Sequence, residues 1–126
     1  MKSVILAAAI FILITILVIG IYAYTDILTG QMLTSLEKNE KFIAKNDWKS
    51  AKNEIKSLSD KWAKNKDILA VFVTHSVIDE LDFSIFRTFQ SIKDKKTEDF
   101  HRETGITKLK IKALKNLQTV SVSNLF

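Results

Sequence analysis

His75, Asp79 and Asp82 are the side chains whose types and spacing could support chemistry in this chain. They recur at i, i+4 and i+7, which on a helix places all three on one face. Neutral imidazole with two carboxylates is a ligand set for a divalent cation. Lining a contact, the same trio would make that contact pH-sensitive, because histidine changes charge near neutral pH. A structural reading competes with both: His75 donates to Asp79 one turn on, and Asp82 takes a lysine or a tryptophan indole N–H from a facing helix. One histidine and two aspartates on a single helix favour pairing, since helix-face polar groups are mostly satisfied structure. The trio is assigned as a polar layer or partner contact, with no catalytic, metal or cofactor-binding residue. His101, beside Phe100 and among charged neighbours, reads as a surface residue. No cysteine, Gly-rich phosphate loop, GxSxG or HExxH is present, so no enzyme is expected.

The element that must position the trio is a helix. Ile68, Phe72, Phe86 and Phe89 share its face over more than one strand's length, with Val71, Ile78 and Ile85 alongside. The apolar run 68–73 alone would suit a buried strand, but the longer period predicts one helix from 68 to 92. Polar groups inside that apolar seam cost free energy unless paired, and a paired layer fixes which helices meet. Before it, Asn65-Lys66-Asp67 is a candidate interruption. Upstream, Trp48, Ala51, Ile55, Leu58 and Trp62 step by three and four while Lys49, Lys52, Asn53, Lys56 and Asp60 point away. That is a helix committed to packing, with both tryptophans as core anchors and Asn46-Asp47 as turn and N-cap. Downstream, residues 93–97 make a polar connection ending on Thr97 as N-cap, followed by the acids Glu98 and Asp99. The last helix presents Phe100, Thr104, Thr107, Ile111, Leu114 and Leu117 or Gln118. Residues 120–126 lose the period and read as a short extended tail that tucks Leu125 and Phe126 onto the bundle.

The N-terminal segment is of another kind. Residues 4–24 carry no charge, and a helix of that length spans roughly 31 Å, against about 30 Å of hydrocarbon. Tyr22 and Tyr24 fall where an interfacial aromatic belt belongs. Neither 21–23 nor 23–25 is a good small-x-small cleavage site, so an uncleaved anchor is preferred to a cleaved signal or a buried soluble helix. Lys2 lies before the run, and Lys38, Lys41 and Lys45 follow it after Asp26. The short tail ahead of a long apolar core suits a signal anchor in the cytoplasmic membrane, single-pass, with the C-terminal domain extracytoplasmic. Leu28, Met32, Leu36 and Ile43 prolong the period beyond the membrane as an amphipathic stalk, with a bend or break possible at Gly30. The chain divides into an anchor, 1–25, and a helical extramembrane domain, 26–126.

Composition agrees. With no proline and three glycines, a fold of many short strands lacks its turn formers. The expectation is all-α: an N-terminal transmembrane helix followed by a small antiparallel three- or four-helix bundle. Net charge is +5, but Arg87 and Arg102 are the only arginines and no basic cluster interleaves with aromatics. Nucleic acid is therefore not an expected partner. The expected partners are the lipid bilayer and a membrane protein or a second copy; no cofactor is called for, and no small-molecule ligand is identified.

The anchor, Trp48 and Trp62, the segment His75-Ser76-Val77-Ile78-Asp79-Glu80-Leu81-Asp82 and the final Asn124-Leu125-Phe126 together carry a resemblance. Over essentially its whole length the chain resembles a family of small single-pass membrane proteins of endospore-forming Gram-positive bacteria, domain of unknown function 4363. The resemblance implies a helical extramembrane domain without assigned activity, and a genomic association with another uncharacterised membrane protein of those bacteria, hence a partner role. It brings no catalytic residues. Val77 stands where the family pattern tends to an acid after His-Ser, which puts in doubt any function needing a carboxylate there. The resulting expectation is an interaction or accessory subunit of a membrane complex. The alternative is an extracytoplasmic sensor or ligand-binding bundle in which the polar layer lines a pocket between helices.

Overall fold

A computed structural model describes the backbone of residues 1–125 and the side chains of residues 1–117. Four helices follow one another: α1 (Lys2–Ala44), α2 (Trp48–Leu69), α3 (His75–Lys93) and α4 (Thr97–Leu125). No strand occurs among the described residues. Each helix packs on two neighbours, α1 on α2 and α4, α3 on α2 and α4, closing a ring. Short connections and antiparallel register make this an up-down-up-down four-helix bundle. The register between α1 and α2 is set by Ser35 donating to Glu54 at 2.8 Å and Lys61 donating to Gln31 at 3.1 Å. Tyr24 donates from its hydroxyl to Asn65 Oδ1 in the same antiparallel sense.

α1 is one continuous helix with two unlike halves. No residue from 2 to 24 is buried, and this half is long and apolar enough to cross a membrane. From Thr25 onward the helix becomes a wall of the bundle, burying Thr25, Leu28, Thr29, Met32, Ser35, Leu36, Asn39 and Ile43. The break entertained at Gly30 does not occur, since the helix runs uninterrupted through it. A mid-helix glycine costs about 1 kcal/mol relative to alanine, too little to interrupt a helix held by tertiary packing on both sides.

The first turn has the chemistry its sequence suggests. Asn46 takes φ 57°, a left-handed conformation asparagine tolerates, and its amide closes on Ile43 O at 3.0 Å. Asp47 then caps α2, accepting from the Ser50 amide at 3.1 Å. The Ser50 side chain, and after it this amide, hold the Asp47 carboxyl below the usual carboxylate range. Ala51, Ile55, Leu58 and Trp62 are buried as expected, with Trp48 packed against the core. In α4, Phe100, Thr104, Thr107, Ile111 and Leu114 are buried, again as expected. Thr97 is the first helical residue rather than the cap, because the Lys96 carbonyl already accepts from the Phe100 amide at 2.9 Å.

Two expectations about element ends are overturned. The proposed helix 68–92 is two elements: α2 runs on through residues 65–67, ends at Leu69, and a five-residue connection leads to α3. There the ladder tapers through Phe72 and Val73 amides, both 2.9 Å from Leu69 O, until Thr74 turns extended at ψ 147°. The apolar run was right for a helix in composition, but its phase does not match α3, and packing followed α3's own phase. At the C-terminus, residues 120–125 are helical, not extended. The docking of Leu125 and Phe126 lies outside the described residues.

Candidate functional site

α3 buries Ile78, Leu81, Ser84, Ile85, Thr88, Ser91 and Ile92. This face sets where the trio points. Its neighbours toward α4 are hydroxyls: the Thr107 hydroxyl contacts that of Ser84 and lies 3.1 Å from that of Thr88. Thr88 donates to Ser84 O at 2.9 Å and Thr107 to Glu103 O at 2.8 Å, so these small polar groups are satisfied inside the seam. Between α3 and α4 the buried polar groups are therefore serine and threonine, which the period of large apolar residues did not reveal, and α1 adds the fully buried Asn39.

His75, Asp79 and Asp82 do share a face, but it is not the core seam. His75 and Asp79 are exposed and Asp82 is half-buried. Ile68, Phe72 and Phe86, taken as the seam's apolar members, are 52%, 51% and 58% exposed, and only Phe89 packs against the core. The physical reason is the break at residues 70–74. Once α3 starts afresh at His75, the residues expected merely alongside, Ile78 and Ile85, form its buried stripe, and the trio rotates outward.

Asp82 nevertheless finds both partners proposed for it. Its Oδ1 accepts from the Trp62 indole N–H and its Oδ2 from Lys66 at 3.2 Å, both on α2. Trp62 is 3% exposed, so the carboxylate satisfies an otherwise buried donor. His75 makes no hydrogen bond to Asp79 among the described residues. Nor do three histidine or carboxylate side chains come together as a metal set there. What the outer face of α3 does assemble is an open depression lined by Asp79, Asp82, Phe83 and Phe86. Phe83, 64% exposed, received no weight in the sequence; its spacing from Asp79 and Phe86 was the signal that could have found it. His101 is exposed as expected, its ring edge-on to Phe100 at 5.4 Å.

The model of the family described as "Domain of unknown function (DUF4363)" matches residues 19–125. The match opens at Ile19, inside the apolar run, so the shared region includes the passage from that run into the bundle. No curated protein and no solved structure matches the chain.

Proposed function

The chain belongs to the DUF4363 family, and from that premise we propose that it is a membrane-anchored interaction subunit. It spans the cytoplasmic membrane once through the first half of α1, with the bundle on the outer side. The outer face of α3 receives a partner held in the same membrane. One observation carries this reading: Phe83 and Phe86 stand side by side in the open, next to Asp79 and Asp82. Large aromatic side chains flanked by charge are what interface cores are enriched in, and soluble surfaces seldom leave such a pair uncovered. An anchor supports it further, because a partner in the same bilayer meets this face at high effective concentration.

A photocrosslinking side chain placed at Phe83 in the full-length protein, in its native membranes, tests the reading. One membrane protein should be captured in stoichiometric yield, and Phe86→Asp should abolish its co-purification without changing the melting temperature. Capture that survives Phe86→Asp, or a chain that purifies alone from mild detergent, overturns it.

A further inference from the structure

The connection between α2 and α3 lies at the level of the apolar half of α1. Tyr24 bonds to Asn65 across the antiparallel pair, and α2 then continues four residues, about 6 Å, toward the N-terminal end of α1 before the chain turns. The turn is therefore at the height of α1 residues near Gly20, within the uncharged run. Its side chains fit that level. Val71 is 75% exposed, and Ile68 and Phe72 about half exposed, though nothing in the bundle needs them outside.

Charge follows the same plane. Residues 3–25 carry none, and residues 68–78 carry only the titratable His75. Residues 116–126 carry none either, although α4, which packs on α1, continues helical to Leu125. Charge returns just above this base, with exposed Asp67 on α2 and Asp79 and Glu80 on α3, and with the pairs Asp26–Lys115 at 3.1 Å and Lys66–Asp82 at 3.2 Å. In an aqueous loop this run of exposed aliphatic and aromatic groups would be a liability. At a depth of about 5–10 Å in the headgroup and acyl boundary, the same groups bind.

We infer that residues 68–73 are a second membrane contact: the α2–α3 turn is immersed in the bilayer interface beside α1, so that the bundle lies against the lipid at its base. The occupant of this apolar tip is lipid, because the tip continues the apolar surface of the anchor at the same height. The inference rests on the reading of α1 as a membrane-spanning helix. Its effect is to fix the azimuth of the bundle, since a second contact removes free rotation about a single rod and presents one side of α3 to neighbours.

The chain has no cysteine, so single labels can be placed cleanly in the full-length protein. Phe72→Cys and Val71→Cys report the tip, Leu13→Cys the anchor and Lys95→Cys the distal turn. Each carries an environment-sensitive fluorophore in phosphatidylcholine–phosphatidylglycerol vesicles containing nitroxide lipid. Labels at 72 and 71 should be quenched several-fold more than the label at 95, most strongly by nitroxides near the headgroup, with the label at 13 favouring deep ones. If 13 is quenched while 71 and 72 behave as 95, the immersed turn is wrong and the anchor stands. If 71 and 72 are shielded from both lipid nitroxide and aqueous quencher, protein covers the tip and the inference is equally wrong. If 13 is not quenched, the spanning reading itself fails.

Discussion

Asp82 is a half-exposed carboxylate whose importance comes from a buried neighbour. Without it the Trp62 indole N–H, on a side chain 3% exposed, is left unpaired, at a cost of about 1–3 kcal/mol. The Lys66 pair is about a third exposed on both sides, which limits it to roughly 0–1 kcal/mol. The indole bond therefore dominates. Asp82→Ala should lower unfolding free energy by about 1–3 kcal/mol in urea denaturation, and Asp79→Ala, at an exposed side chain, by no more than about 0.5 kcal/mol. Asp82→Asn, which keeps an acceptor for the indole, should fall between; equal losses at 79 and 82 would refute the assignment. The partners of Asp82 were legible in the sequence because an aspartate near a packing helix can be satisfied only by a donor that helix supplies. Its outward position was not legible. Assigning Asp79 and Asp82 to a seam required Ile68 and Phe72 to be in phase with them, and that phase is lost across residues 70–74.

At the scale of elements, the helices whose large apolar residues keep one period over several turns were readable: α2 through Ala51–Trp62 and α4 through Phe100–Leu114. So was the continuation of the apolar α1 into a wall of the bundle, through Leu28, Met32, Leu36 and Ile43, all at most 4% exposed. The break after Leu69 was not, because it contains no proline, glycine or asparagine and ends on Thr74, whose side chain makes no cap bond. Gly30 is the reverse case, a residue that looks like a hinge and is none. A Cβ added there meets nothing within 4 Å, and no positive φ constrains the position. Gly30→Ala should therefore stabilise the folded chain by about 0.5–1 kcal/mol, mainly by restricting the unfolded state. Thermal or chemical unfolding of the full-length protein measures it. A loss of stability would mean that α1 needs a bend at that point.

For the whole molecule, the consequence of a continuous α1 is that the uncovered apolar half and a wall of the bundle share one element. The bundle's ring is closed by α1 against α2 and α4, and four of its core side chains, Leu28, Met32, Leu36 and Ile43, belong to that helix. Truncating one such residue to alanine costs about 2–5 kcal/mol, whereas a domain of this size is stable by only about 5–15 kcal/mol. Losing all four at once exceeds what the remaining three helices can offset. A fragment of residues 45–126 should consequently show weak helical circular dichroism and no cooperative melt. Residues 25–126, which keep the wall and discard the uncovered half, should melt cooperatively. That fragment should also carry the exposed tip at Ile68, Val71 and Phe72, and so float with anionic vesicles in a density gradient, an association that Val71→Asp with Phe72→Asp removes without lowering the melting point. A cooperative melt from 45–126 would show that α1 is merely tethered to the domain, and the coupling of insertion to packing would be lost with it.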